Sequence, residues 1–307
     1  MRTRRGATML LSTLALSTVS VLATAGCARP VADGRVRVVA AFYPLEFVAQ
    51  RVGGERVAVH NLVRPGTEPH DLDLQPRQIA AIIDADLVVY LGGFQPAVDD
   101  VADQQPRRRS LDVASLTPLV SKPSAGVRPG PDADVTKDPH IWLDPVRLHT
   151  VAIAVAQRLA AVDPEHAAGY RARADALGAD LTELDRAYQD GLAECARREI
   201  VTSHAAFGYL AQRYNLRQVA VTGLSPEEEA SPARLAQVAS TARAAGATTI
   251  FFETLASDQV AQTVAKEIGA RAAVLDPLEG LAPGSTGDYF TVMRQNLAAL
   301  RTALGCP

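Results

Sequence analysis

Short apolar runs alternate with segments of helical periodicity along most of the chain. The runs that predict buried strands are residues 36–41, 57–63, 87–91, 199–203, 218–222, 248–252 and 272–275. The segments that predict helices are residues 43–52, 76–85, 145–161, 233–245, 257–268 and 288–304. Strand–helix alternation of this kind favours parallel sheets covered by helices.

One helical segment in the middle of the chain stands apart by its length. It opens with Asp163-Pro164-Glu165, which supplies a capping side chain, a proline in the first turn and an acid beside it. Apolar residues then recur at spacings of four and three, at Leu177, Leu181, Leu184, Tyr188 and Leu192. No proline follows before Cys195, so about 30 residues at 1.5 Å each predict a helix of roughly 45 Å. A helix of this length at mid-chain indicates a strut between two lobes.

The chain therefore divides into segments of different character. With 307 residues, 48% of them hydrophobic and 21% charged, it is long enough for two α/β lobes with cores of their own. The predicted divisions are a signal peptide at 1–26, a lipidated N-terminus and linker at 27–35, a first lobe at 36–145, a helical segment with the long linking helix at 146–194, and a second lobe at 195–307.

The first 27 residues predict export. Arg2, Arg4 and Arg5 precede an uncharged stretch at 9–25, which is too short and wrongly flanked for a stable membrane span. The run TAGC ending at Cys27 resembles a bacterial lipobox, in which the cysteine becomes the lipidated N-terminus. We expect a lipoprotein on the outer side of the cell membrane, or a periplasmic protein if Cys27 is not lipidated.

Charge and cysteine content narrow the function further. A formal net charge of −3 indicates no general attraction to nucleic acid, and no later stretch of about 18 uncharged apolar residues suggests a membrane span. Cys195 and Cys306 form an even pair in an exported chain, where disulfides persist, and we expect them to be joined. Closing a loop of about 100 residues contributes on the order of 4–5 kcal/mol through the unfolded chain.

Three of the six histidines lie in loops beside turn-forming residues, where α/β sheets bind ligands. They are His70, His140 and His204, and Asp276 follows the strand predicted at 272–275. Three imidazoles and a carboxylate make a four-coordinate set suited to Zn²⁺. Because no compact HExxH or CxxC element is present, the spacings alone leave ordinary hydrogen-bonded histidines as an alternative.

Motifs across nearly the whole mature chain resemble those of the metal-binding solute-receptor family of ABC importers for zinc or manganese. They are PGTEPH at 65–70, DPHIWLDP at 138–145, TSHAAFGYL at 202–210, FFET at 251–254, LDPL at 275–278, and the segment 289–300. The resemblance implies two Rossmann-like α/β lobes with parallel sheets, joined by one long rigid helix. It implies a metal site in the cleft between the lobes, with His70 and His140 from the first lobe and His204 and Asp276 from the second.

The resemblance also bears on the metal and the partners. A histidine at the third ligand position is typical of zinc receptors, whereas a glutamate there is typical of manganese receptors, and an imidazole-rich shell suits Zn²⁺. Residues 121–137 contain no histidine, so an auxiliary capture loop is not expected. Glu253 is expected to orient a ligand imidazole, and Glu68 to lie at the rim. The implied partners are a membrane permease and its cytoplasmic ATPase, with the receptor itself a monomer.

We therefore predict a binding protein without catalysis, whose four protein ligands leave no open position for an activated water. A manganese-selective receptor of the same family is the main alternative. A secreted zinc hydrolase with Asp276 or Glu253 as general base, or a metal-dependent adhesin, would also bind metal. Metal capture should weaken as pH falls through the histidine pKa values.

Overall fold

The structure is a computed structural model that describes residues 34–120, 137–226 and 230–307. The predicted signal peptide and the predicted lipidation at Cys27 lie outside these residues, as does most of the loop at 121–137. Among the described helices, none combines the length and apolar character that a membrane crossing requires.

Two four-stranded parallel sheets form the framework of the described residues. Their strands are β1 (Val36–Ala40), β2 (Val57–Asn61), β3 (Leu87–Tyr90), β4 (Ser110–Asp112), β5 (Glu199–Thr202), β6 (Arg217–Ala220), β7 (Thr249–Phe252) and β8 (Arg271–Val274). The strand order is β2-β1-β3-β4 in the first sheet and β6-β5-β7-β8 in the second. The two lobes thus repeat one topology, although no repeat is visible in the sequence.

Helices connect the strands and cover the sheets. They are α1 (Tyr43–Gly53), α2 (Pro76–Asp84), α3 (Pro96–Ala102), α4 (Pro145–Val162), α5 (Ala167–Leu192), α6 (Gly208–Arg213), α7 (Pro232–Ala244), α8 (Gln259–Ile268) and α9 (Tyr289–Leu304). In each lobe the chain starts at a central strand and then moves to both sides, so a crevice opens beyond the carboxyl ends of the strands.

Apart from the long central helix, the predicted strands and helices are confirmed to within one or two residues at their ends, but three short elements were missed. Helices α3 and α6 are only seven and six residues long, too short to show a helical period. Strand β4 has three residues and buries Leu111 alone, so alternation cannot reveal it. These elements form because the neighbouring sheet and helices pack against them.

The long central helix is confirmed, and its apolar stripe is buried. A 3₁₀ turn at Pro164–His166 precedes α5, whose 26 residues span roughly 39 Å. The predicted positions Leu177, Leu181, Leu184, Tyr188 and Leu192 are all within 1% of full burial. The helix packs along α4 and α1 and also contacts α9, so it belongs to the core of both lobes.

The main hydrophobic core runs continuously from the first lobe into the second. Besides the first sheet and α5, it includes Phe207, Phe251, Leu275 and Tyr289 from the second half of the chain. A smaller core lies under α7 and α8 on the outer side of the second sheet. Because interiors are close-packed, this shared core favours small relative movements of the lobes over a wide hinge.

A disulfide joins Cys195, just after α5, to Cys306, just after α9. The same two chain ends are also paired by backbone hydrogen bonds, in which Arg197 donates to the Leu304 carbonyl at 3.1 Å. The predicted pairing of the two cysteines is thus present in the structure, and it ties the C-terminus to the start of the second lobe.

Replacing both cysteines with serine should lower the free energy of unfolding by about 2–5 kcal/mol, because the unfolded chain loses a closed loop. The measurement is chemical denaturation of the double variant C195S/C306S against the parent protein. Both should carry Cys27→Ser, so that no third thiol interferes. Equal unfolding free energies under oxidising conditions would contradict the stabilising role of this disulfide.

Candidate metal centre

His70 lies in the loop that follows β2, and contacts with the second lobe hold this loop in place. The backbone N–H of Gly66 donates to the Leu281 carbonyl at 2.8 Å. Gly66 has φ +84°, and a Cβ at this position would lie 2.7 Å from the Pro283 ring. Only glycine fits both requirements, so the approach of the two loops that places His70 depends on it.

His140 is fully buried and is oriented by an acid two residues before it. One oxygen of Asp138 accepts from the His140 backbone N–H at 3.0 Å and lies 2.8 Å from His140 Nδ1. A 3₁₀ turn, Ile141–Leu143, follows at once and leads into α4, which Asp144 caps by accepting from the Val146 N–H.

His204 is the second fully buried histidine and follows β5 directly. Its Nδ1 lies 2.6 Å from an oxygen of Glu253, which comes directly after β7, the neighbouring strand. The same carboxylate accepts a hydrogen bond from the Ser203 hydroxyl. The structure thus places Glu253 against a site imidazole, in the position expected from the sequence.

The Glu279 carboxylate, five residues beyond β8, meets all three imidazoles. Its Oε1 lies 3.3 Å from Nε2 of His70, 2.9 Å from Nε2 of His140 and 3.3 Å from Nε2 of His204. The Nε2 atoms of His140 and His204 are themselves 3.3 Å apart. Among the described residues, these four are the one group of three or more potential ligands whose donor atoms converge, all within 4.8 Å of one another.

Most of these separations are close to the edge length of a small coordination tetrahedron. Zinc bonds of about 2.0–2.1 Å to nitrogen and oxygen imply donor–donor distances of roughly 3.3–3.4 Å at tetrahedral angles. Three of the four contacts described above are 3.3 Å and one is 2.9 Å. The donor atoms therefore converge closely enough to surround one divalent ion, and four of their six separations are near the edge length of a tetrahedral zinc shell.

The surrounding carboxylates select which ring nitrogen faces the centre. In His140 and His204, Nδ1 contacts Asp138 or Glu253, so the ring proton is best placed on Nδ1 and donated to the carboxylate. Each Nε2 then faces Glu279, and its lone pair becomes available to a metal ion once the Nε2 proton is displaced. Carboxylates in this arrangement also raise the basicity of a ligand imidazole.

The pKa values of the cluster show that protons and a metal ion would compete for the same donor atoms. Burial disfavours the ionised form of Glu279, but the imidazoles, His204 foremost, bring its pKa well below the usual value. Burial would lower the pKa of His204, yet Glu253 and Glu279 raise it to about 10. The pKa of His140 is also raised, since Asp138 and Glu279 outweigh its desolvation. Without a metal ion the site holds protons, and a metal ion must displace them.

The expectation that Asp276 provides the carboxylate disagrees with this geometry. One Asp276 oxygen accepts from the Leu278 backbone N–H at 2.7 Å, and the other accepts from the Thr254 hydroxyl. The chain then turns and directs Glu279, three residues later, toward the histidines. Asp276 directly follows the strand predicted at 272–275, but β8 ends at Val274, and the turn after it brings Glu279 to the histidines instead.

Two functional side chains were missed in the sequence, and both left a signal. Asp138 stands two residues before His140, a spacing that lets one carboxylate reach both the backbone N–H and the ring. Glu279 directly follows the LDPL motif and is the next acid after Asp276. Glu68, expected at the rim, accepts from the His70 backbone N–H at 2.9 Å and lies 3.9 Å from its Nε2.

The other three histidines have separate roles. His60 is exposed on β2, His149 packs against Gly178 where α4 crosses α5, and His166 lies 2.8 Å from Asp163 at the start of the long helix. Their interpretation as structural or surface residues agrees with these positions.

Comparisons with known proteins point to one family. Residues 38–303 match the family ZnuA, described as zinc-uptake complex component A, periplasmic. The chain is 37% identical over 290 residues to zinc-binding protein AdcA of Streptococcus pyogenes serotype M6, across 88% of this chain and 56% of AdcA. It is 32% identical over 285 residues to the high-affinity zinc uptake system protein ZnuA of Bacillus subtilis, across 88% of each. The chain thus spans little more than half the length of the AdcA relatives.

Solved structures agree with the sequence matches. The Zn(II)-bound ZnuA-like domain of Streptococcus pneumoniae AdcA superposes with a TM-score of 0.73 at 33% identity, covering 88% of this chain and 99% of that domain. The laminin-binding protein Lmb of Streptococcus agalactiae, described as having adhesin and metal-transporting activity, superposes with a TM-score of 0.78 at 30% identity, covering 88% and 99%. Together with the four converging donors, these matches show that the chain belongs to the ZnuA family.

Proposed function

We propose that this protein is the extracytoplasmic solute-binding component of an ABC importer, and that it captures one Zn²⁺ ion and delivers it to a membrane permease. The observation that carries the proposal is the convergence of four donor atoms in a buried cleft, all within 4.8 Å of one another, from His70, His140, His204 and Glu279. Two of these histidines have no exposed surface, and Glu279 is 3% exposed.

The donor set favours zinc over manganese. Three imidazole nitrogens and one carboxylate oxygen suit Zn²⁺, whereas Mn²⁺ prefers a shell richer in oxygen and a higher coordination number. Relatives that cover most of this chain are named as zinc-binding or zinc-uptake proteins, and one related domain was solved with Zn(II) bound. His204 is the residue on which this preference depends.

Binding without catalysis is the better fit to the arrangement of the acids. All four positions of a tetrahedral shell are supplied by the protein, which leaves none for a water molecule to be activated. The two acids that a hydrolase would need as a general base are engaged elsewhere. Glu253 is held by His204 and Ser203, and Asp276 by Leu278 and Thr254.

Delivery then requires partners and a location outside the cytoplasm. A permease with a cytoplasmic ATPase would receive the ion, and a lipid at Cys27 would tether a monomeric receptor beside it. Because two ligands come from each lobe, a small displacement of one lobe by the permease lengthens several metal–ligand bonds together. The continuous core between the lobes supports release by such a small displacement.

Competitive titration of the metal-stripped protein should give tight one-to-one Zn²⁺ binding and much weaker Mn²⁺ binding. The variant His204→Glu should lose more than about 100-fold in Zn²⁺ affinity, because the substitution alters a direct ligand, whereas loss of a supporting contact alone costs about 10–100-fold. Its relative preference should move toward Mn²⁺, because an oxygen replaces a nitrogen.

The matched control is His60→Glu, the same substitution at an exposed histidine outside the cluster, which should leave both affinities unchanged. Mn²⁺ binding equal to or stronger than Zn²⁺ binding by the unaltered protein would overturn the choice of metal. No binding of either ion would overturn the proposed function.

Zinc binding should release protons at neutral pH. Because pH 7 is below the raised pKa of His204, about 10, this imidazole is protonated before the metal binds. Glu279 is already ionised at pH 7, since its pKa is lowered, and it releases no proton. Zinc affinity should therefore fall as pH falls, by about tenfold per pH unit for each proton displaced. Isothermal titration calorimetry in buffers of different ionisation enthalpy counts these protons.

The variant Glu279→Gln serves as the comparison for that count. Without the Glu279 charge, the pKa of His204 should be lower, and fewer protons should leave when any metal binds. A binding enthalpy independent of the buffer in the unaltered protein would show that the imidazoles are neutral before binding, against this account.

A further inference from the structure

The turn that presents Glu279 has an unfavourable backbone conformation. Leu278, the residue before Glu279, has φ +58°, in the left-handed region that residues other than glycine rarely adopt. Its side chain is completely buried, so the turn is anchored within the core and is not a loose surface loop. Such conformations persist where surrounding contacts over-determine them, and they cluster at functional sites.

Asp276 supplies those contacts on the side of the second lobe. Its Oδ1 accepts from the Leu278 N–H at 2.7 Å, which closes the turn across Pro277. The Thr254 hydroxyl donates to Oδ2 and fixes the carboxylate plane. The backbone of Asp276 is held as well, since the Asn296 side chain accepts from its N–H at 2.9 Å and donates to its carbonyl at 2.7 Å.

The first lobe holds the same turn through Trp142. The indole N–H of Trp142 donates to the Pro277 carbonyl at 2.7 Å, and the Tyr289 hydroxyl donates to the Trp142 carbonyl at 2.7 Å. Trp142 stands two residues after His140. The segment that carries one histidine is therefore bonded directly to the turn that carries the carboxylate.

We propose that Asp276 is a positioning residue, which holds Leu278 in its left-handed conformation and thereby sets Glu279 at the donor spacing that the metal requires. This inference rests on the proposed function of metal capture. If the bond from Leu278 is lost, the backbone can return to a conformation with negative φ, which turns the following residue away from the histidines. For Asp276 to bind the metal instead, it would have to release both Leu278 and Thr254.

The test compares Asp276→Asn with Asp276→Ala in the full chain, with Zn²⁺ affinity as the first measurement. An asparagine side chain keeps an oxygen that can accept from the Leu278 N–H, so D276N should bind Zn²⁺ within about threefold of the unaltered protein. D276A removes the acceptor and should lose about 10–100-fold, the range typical of residues that support metal ligands. Near-ultraviolet circular dichroism checks that each variant is folded.

A rescue variant separates positioning from general damage. Because glycine adopts positive φ at no steric cost, Leu278→Gly in the D276A background should restore part of the lost affinity even though it removes a buried side chain. The matched control is Asp288→Ala, which deletes another acid that accepts from a backbone N–H, at the start of α9. D288A should lower thermal stability and leave Zn²⁺ affinity unchanged.

The visible spectrum of the Co²⁺-loaded protein gives a second measurement, since its bands report the ligand set. D276N should keep the spectrum of the unaltered protein, whereas Glu279→Gln should change it. If D276N loses as much affinity as D276A and alters the spectrum, Asp276 is a ligand and the inference is wrong. Unchanged affinity in D276A would also overturn it, while leaving the proposed function intact. If the unaltered protein binds no metal, the proposed function fails first.

Discussion

A buried carboxylate surrounded by three imidazoles is the interaction on which the rest of the structure depends. Glu279 is almost entirely removed from water, where an ionised group is stable only if it is paired. Protons on the imidazoles provide that pairing in the protein without metal, and a divalent ion would replace them among the same four donors. The site thus has to bring four donors from two lobes to within 4.8 Å, and much of the fold serves this requirement.

Hydrogen bonds from neighbouring side chains and backbone hold the donors in place. Asp138 and Glu253 orient two of the rings, while the turn at 276–279 presents the carboxylate. The lobes are joined by a shared core, by α5 and by the hydrogen bond from Trp142. The disulfide after α9 ties the C-terminus to the start of the second lobe. A preformed site of this kind loses little entropy when an ion binds, and it discriminates by donor type and spacing.

The parts of the site that depend on neighbouring residues could be predicted from the sequence, whereas the parts that depend on contacts between distant residues could not. His204 follows a strand directly, and strand ends in a parallel sheet meet at one edge, so its placement followed from local pattern. The same rule predicts Asp276, whereas the structure brings Glu279 to the histidines, after a turn in which Leu278 takes a left-handed conformation that no propensity predicts for leucine. The long helix was visible in its repeated leucines, whereas α6 and β4 exist through tertiary packing and were not. The contact between Trp142 and Pro277 joins residues 135 positions apart, and no local pattern indicates it.

The measurement that tests the central claim most directly is X-ray absorption spectroscopy of the zinc-loaded protein. The account predicts a four-coordinate shell of three imidazole nitrogens and one oxygen at about 2.0–2.1 Å, with multiple scattering from three imidazole rings. Fewer than three imidazoles, a sulfur ligand, or a five- or six-coordinate shell with several water oxygens would contradict the assignment of a closed site built from His70, His140, His204 and Glu279.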